Sequence, residues 1–510
     1  MIIDGRSLTL EMVEVVARGG ARVELAPDAA AQMGAVRGAL NALVAEGRTV
    51  YGVNTGFGRL ADVRVEPHQQ RALQLNLVRS HAVGTGRPLP YEEVRAIMLL
   101  RANTLARGQS GCRPEVARRL LDLLDLGVHP VVPSVGSVGA SGDLAPLAHI
   151  ALVVIGEGRA EVDGREGDAA VLLAERGMAP LELREKEALA LLNGTQATTG
   201  IGSLAFCRLR RCLDTADVAG AISLEGLLGT PSPFRPEIHA ARPHPGQVES
   251  ARRLRRLLSG SEIRESHREG DGRVQDAYSL RCMPQVHGAT REAAAYGERI
   301  LTTEANSTTD NPLVFAAGAG GDEDEPRGVR VLSGGNFHAQ IVAQALDLMA
   351  IAAADLAAIS ERRIDRLLNP DLSGLPAFLT RDGGVCSGLM MAQITAADAL
   401  SEMRVLASPA SVDSVSTSAA QEDHVSMGMA AARKLRRSVG LLETVLAIEL
   451  LCGAEAVEFR RPLRSGDLVE EALRTIREKV APLEGDRVLS TDIAALEGLV
   501  RAGALAHTGI

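Results

Sequence analysis

The chain has 510 residues, 46% hydrophobic and 23% charged, enough to bury one large core or two to four average domains. A net charge of -9 excludes the clustered basic surface that nucleic-acid binding needs. The cysteines at 112, 207, 212, 282, 386 and 452 fall in no metal-ligand or disulfide spacing, which suits a reducing compartment.

The opening Met-Ile-Ile-Asp-Gly-Arg is neither a signal nor a transit sequence, and the longest apolar runs, such as 147–155, are too short to span a membrane. These features predict a cytoplasmic protein with no membrane or nucleic-acid partner and no metal. Strand patterns are few: 8–10, 22–25, 160–163 and a hairpin over 313–333 with an acidic, glycine-rich tip at 316–328. Helical spacing of apolar residues predicts helices over 91–107, 114–126, 186–192, 195–228, 247–258 and 284–304. It continues over 336–367, 387–406, 425–453, 467–481 and 489–502. Several far exceed the mean of about 11–12 residues, and helices that long bury their stripes against one another. The expected fold is mainly α: a long-helix bundle with a C-terminal helical layer over 201–510, preceded by a smaller mixed α/β domain over 1–200.

Lysine occurs only at 186, 434 and 479, each within a charged helical stretch. None looks placed for the Schiff base of a pyridoxal phosphate enzyme, and no nucleotide site is expected either.

The most informative segment is 133–149, Pro-Ser-Val-Gly-Ser-Val-Gly-Ala-Ser-Gly-Asp-Leu-Ala-Pro-Leu-Ala-His. At its centre, Ala140-Ser141-Gly142 can cyclise. The amide nitrogen of Gly142 attacks the carbonyl carbon of Ala140, and loss of water together with the Ser141 hydroxyl leaves a five-membered ring bearing an exocyclic methylene. Glycine offers an unhindered nitrogen, alanine crowds the carbonyl little, and serine supplies the leaving group; the glycines at 136, 139 and 142 permit the turn. The plainer alternative is a helix N-terminus, with Ser141 or Asp143 as cap.

Aromatic residues are only 2% of the chain, with no tryptophan, so those in glycine-bearing strings stand out. They are Tyr51 and Phe57 in Tyr-Gly-Val-Asn-Thr-Gly-Phe-Gly, Tyr278 in Val-Gln-Asp-Ala-Tyr-Ser-Leu-Arg-Cys, and Phe337 in Ser-Gly-Gly-Asn-Phe-His. Together with 133–149 these strings resemble, in order from Tyr51 to Met427, the signature segments of the aromatic amino acid lyases, the histidine, phenylalanine and tyrosine ammonia-lyases. That resemblance implies a methylidene-imidazolone formed autocatalytically from Ala140, Ser141 and Gly142, with Asp143 assisting cyclisation. It implies Tyr51 as acid or base at the substrate, Tyr278 with its hydroxyl near the ring, and Arg281 on the substrate carboxylate. Asn193 and Gln275 would line the site, and Phe337 would pack on substrate or ring. It also implies a homotetramer whose sites draw loops from three subunits.

Alternatives stand beside these roles. Asn193-Gly194-Thr195 reads equally as a helix stop followed by a cap, and Arg281 as a structural ion pair. Asn306 is expected to end a helix. Two places bear on the substrate. Ser80-His81 is similar to the histidine-specific relatives, where tyrosine and phenylalanine enzymes carry His-Leu and Phe-Leu. Glu422, in Ala-Gln-Glu-Asp-His, stands where those enzymes have another residue. A neutral imidazole presents one donor and one acceptor, which a histidine and a carboxylate can satisfy. The expected substrate is therefore L-histidine, the product trans-urocanate, and Glu422 a catalytic group. The alternatives are a core role for His81, helix-dipole roles for Glu422 and Asp423, action on tyrosine or phenylalanine, and a silent scaffold. Departures from the family pattern include Gln340, Cys386, Met403 and Ala420, where asparagine is frequent at the last.

Overall fold

A computed structural model describes residues 1–46, 52–56, 64–316 and 329–506. Among these residues the fold is mainly α, with twenty α-helices and four small sheets of two or three strands. Contacts divide the chain into two compact units. One comprises Met1–Leu204, Glu298–Leu346 and Pro409–Arg433; the other comprises Ala205–Gly297, Asp347–Ser408 and Lys434–Ile510. Where the sequence suggests a single boundary near 200, the units interleave, and four of the breaks fall inside the helices Gln196–Gly226, Met283–Ala305, Gln340–Leu368 and Gly428–Glu458.

The helices expected from apolar periodicity form where their signals are strong. Pro114 starts Pro114–Asp125 at the position where its missing N–H costs nothing, and Tyr91–Ala106, with Glu92 and Glu93 in its first turn, is buried from residue 93 onward. Met283–Ala305 ends at Asn306, as expected. The Asn306 side chain then exchanges hydrogen bonds with the main chain of Leu8 at 2.8 and 2.9 Å. The hairpin also forms, as Leu313–Ala316 paired antiparallel with Val329–Leu332; its acidic tip lies outside the described residues.

Other expectations are corrected. Residues 8–10 are no strand: Thr9 caps the helix Leu10–Ala17, its hydroxyl accepting from the Met12 N–H at 3.2 Å. Three helices go beyond those expected: Pro27–Ala45, whose buried Ala29, Met33, Val36, Leu40 and Leu43 form a stripe at helical spacing, and Gln70–His81 and Leu144–Val154, which carry no clear stripe. The first is alanine-rich, the second polar and the third apolar all round. Gln340–Leu368 has the length of a membrane span, and its most apolar 18-residue window has a mean hydropathy of 1.7, contrary to the expectation that no run qualifies. Of its most apolar window, 61% is buried within the chain, as in a bundle's core helix. Lys186 lies just before helix Glu187–Leu192, in the charged stretch the sequence shows. It is fully buried with φ 70°, its Nζ 3.1 and 3.2 Å from the Asp310 carboxylate.

Candidate active site

The site grows from the segment 133–149, in the first unit. Pro133–Val135 pairs with Thr85–Pro88, the chain turns, and helix Leu144–Val154 follows. Within that turn Gly136, Gly139, Ser141 and Gly142 all have positive φ (152°, 85°, 53° and 81°). Gly142 lies directly on Gly194: the Asp143 N–H donates to the Gly194 carbonyl at 2.7 Å, and a Cβ on Gly142 would collide with Gly194's main chain. Only glycine fits there. Ser141 is a different case, since a side chain in the left-handed region costs about 1–2 kcal/mol. Two contacts hold it. Its carbonyl accepts from Asn193 Nδ2 at 2.7 Å, and its hydroxyl donates to Glu422 Oε1 at 2.8 Å.

Asp143 sits beneath the turn, fully buried, and makes no side-chain bond of the capping kind. Its oxygens accept from the Thr198 N–H at 2.7 Å, the Thr198 hydroxyl at 3.0 Å and the Ser137 hydroxyl at 3.2 Å. Burial outweighs these donors and pushes the acid up to about 6. The stability supplied by the neutral acid is complete below 3.8 and lost as pH rises through about 6. Asp143→Asn removes that titration. The wild-type melting temperature is therefore expected to fall relative to the variant's as pH rises from about 4 to about 6, measured by thermal unfolding across that range.

Ser141 opens onto a cavity of about 420 Å³ that is also lined by His81, Asn193, Phe337 and Glu422. Helix Gln70–His81 supplies one wall through Leu73, Asn76, Leu77, Ser80 and His81, spaced three and four apart on a single face. His81 Nδ1 lies 2.8 Å from the Leu77 carbonyl oxygen, which can only accept. That contact assigns the proton to Nδ1 and leaves Nε2 as an acceptor.

Glu422 is aimed by an unusual turn. Ser418, Ala419 and Ala420 are all left-handed (φ 51°, 54° and 65°), and the turn is closed by main-chain bonds between Thr417 and Glu422 of 2.8 and 3.3 Å. The Thr417 hydroxyl donates to Glu422 Oε2 at 2.9 Å. Helix Gly428–Glu458 begins six residues later, so Glu422, which lines the cavity, lies outside that helix's first turn. Asparagine tolerates the left-handed region that alanine pays to enter. Ala420→Asn is therefore expected to stabilise the protein by roughly 1 kcal/mol, read from denaturant unfolding.

Asn193 is the C-cap of Glu187–Leu192, lines the cavity, and donates through Nδ2 to the Ser141 carbonyl. Fully buried Arg101 fixes it from behind, donating to the Asn193 carbonyl at 2.7 Å and to Gln196 Oε1 at 2.8 Å.

Not every predicted site residue gathers here. Tyr51 lies outside the described residues. Gln275, Tyr278 and Arg281 belong to the second unit and do not line this cavity. Gln275 and Tyr278 are exposed, and the Arg281 guanidinium stacks 4.5 Å from the centre of the Tyr278 ring, so no ion pair occupies it in that contact. Sequence reasoning noted Ser80 beside His81 without giving it a role and missed Asn76; with Asn311 and Ser418, also missed, they line the cavity. Polar residues at three-and-four spacing leading to His81 were the available signal for the first two.

Residues 8–478 match the model of the aromatic amino acid lyase family. The chain is 52% identical to the histidine ammonia-lyase of Myxococcus xanthus over 99% of its own length and 97% of that protein's. Among solved structures, histidine ammonia-lyase from Trypanosoma cruzi superposes with a TM-score of 0.90 at 44% identity, covering 99% of this chain and 94% of that one. Tyrosine aminomutase from Streptomyces globisporus superposes with a TM-score of 0.91 at 37% identity, covering 99% and 97%.

Proposed function

The chain belongs to the aromatic amino acid lyase family and is a carbon–nitrogen lyase, and from that premise we propose that it eliminates ammonia from L-histidine to give trans-urocanate. The observation that carries the substrate is one cavity in which Ser141, His81 and Glu422 meet.

The turn at 140–142 fits the self-made prosthetic group of the family. Its left-handed φ angles, the Gly142–Gly194 approach and the amide donor on the Ser141 carbonyl all suit ring closure. The chemistry supplied by a methylidene-imidazolone there is electrophilic, its methylene drawing electron density from an amine or an electron-rich ring. No pyridoxal phosphate or nucleotide is part of this reading.

The chain's own residues do the rest. His81 Nε2 accepts from one N–H of the substrate ring, and Glu422 bonds the other nitrogen, accepting when the ring is an imidazolium or donating when it is itself the carboxylic acid. Asn193 holds the Ser141 carbonyl, Phe337 packs on the substrate, and Asp143 supports the turn during cyclisation. Tyr51 is the proposed acid or base at the reacting carbon. Arg281, a fork suited to carboxylate, with Gln275 and Tyr278, completes the site from neighbouring copies in a homotetramer. Exposed Val274 and Tyr278, and Ile341, Leu348 and Ile351 on one helix, support such an assembly. Six free cysteines support a reducing, cytoplasmic setting.

The test is direct. Purified protein with no added cofactor should convert L-histidine to urocanate, followed by ultraviolet absorbance, and should act far more slowly on phenylalanine and tyrosine. No urocanate, from protein already lighter than its encoded mass by two waters, sinks the substrate assignment.

A further inference from the structure

Resting on the reading that 140–142 cyclise, we propose that Glu422 also acts before any substrate arrives, as the proton donor that expels the Ser141 hydroxyl and so completes the prosthetic group.

The geometry separates two carboxylates that could serve maturation. Asp143 is turned away, its oxygens engaged by Thr198 and Ser137. Glu422 Oε1 lies 2.8 Å from Ser141 Oγ, the atom that must leave, while Oε2 is anchored by the Thr417 hydroxyl at 2.9 Å. The paired Thr417 and Glu422 main chains and the left-handed turn between them fix the carboxylate's approach. A 2.8 Å line that carries a proton from hydroxyl to carboxylate carries it back when the carboxyl is protonated.

Ring closure comes first. The Gly142 nitrogen bonds to the Ala140 carbonyl carbon, and that oxygen leaves as water with the protons of the Gly142 and Ser141 amides. The Ser141 Cα–H is then flanked by C=N and C=O and becomes acidic. Its proton passes to solvent, its electron pair forms the Cα–Cβ double bond, and the Cβ–O bond breaks with its pair on oxygen. Glu422 delivers a proton to that oxygen, a second water departs, and solvent reprotonates the carboxylate. Nothing is oxidised or reduced. The departure also removes the partner of Oε1, leaving it free in the cavity lined by His81. Maturation thus clears the group that substrate needs.

Intact mass of freshly purified protein tests this without reference to activity. Wild type should be two waters lighter than the encoded chain. Glu422→Gln should be lighter than its own encoded chain by one water only. Glu422→Ala should likewise stall one water below its own encoded mass, with added formate bringing it slowly to two waters below. If Glu422→Gln does not fold, Thr417→Val keeps the carboxylate, frees one anchor, and should give a mixture of chains one and two waters below its own encoded mass. A Glu422→Gln chain two waters below its own encoded mass overturns the proposal. So does one that has lost no water, because the carboxylate would then act on ring closure. A wild-type chain of full encoded mass overturns the cyclisation reading itself.

Discussion

Ser141→Ala is expected to yield a folded protein whose release of ammonia from histidine has fallen by roughly 10³-fold or more. The size follows from the chemistry. An α-ammonium is a poor leaving group and the β-proton is hardly acidic, so a site without its electrophile retains only substrate binding and side-chain proton transfer. Stability should change little. Against the uncyclised segment, alanine loses the hydroxyl bond to Glu422 but keeps the carbonyl bond to Asn193, and the left-handed φ of 53° costs both residues alike. The variant can lose at most the one water of ring closure. Measured ammonia release within tenfold of wild type, from protein whose mass rules out the second dehydration, would sink the role given to this segment.

The turn was legible because its requirements are local: small residues, glycines and a leaving group lie within seventeen positions. Long helices were legible for a similar reason, as Gln340–Leu368 and Gly428–Glu458 repeat apolar residues over eight turns. The wall of the cavity was not. Helix Gln70–His81 buries Gln70 and Gln74 and turns Asn76, Ser80 and His81 to the cavity, so its burial pattern has little to do with apolarity. Nor did Ser418-Ala419-Ala420 reveal its left-handed turn, because nothing in those side chains asks for it; closure by Thr417 and Glu422 imposes it. Interleaved units were hidden for a third reason: breaks inside continuous helices leave no proline, glycine or polar linker to mark them. Lys186 shows the limit of composition. Its neighbours in sequence are charged, yet its partner Asp310 is 124 positions away.

The second large effect concerns selectivity. A phenyl ring in this cavity would leave His81 Nε2 and Glu422 without partners, at about 1–3 kcal/mol for each. Wild-type kcat/KM is therefore expected to favour histidine over phenylalanine by roughly 10²- to 10⁴-fold. His81→Leu tests which group sets the ratio. Leucine lies close to histidine in volume, and the lost ring contacts, with Leu77 and Ser80, sit at the helix end, so folding is little affected. Histidine should then lose roughly 10- to 100-fold in kcat/KM, chiefly through KM, because the acceptor serves ground and transition states alike. Phenylalanine should gain or hold, narrowing the ratio by at least the same factor. Steady-state kinetics on both amino acids decide the matter: an unchanged ratio in His81→Leu would mean that helix Gln70–His81 forms the wall without reading the ring, and would leave Glu422 as the sole determinant.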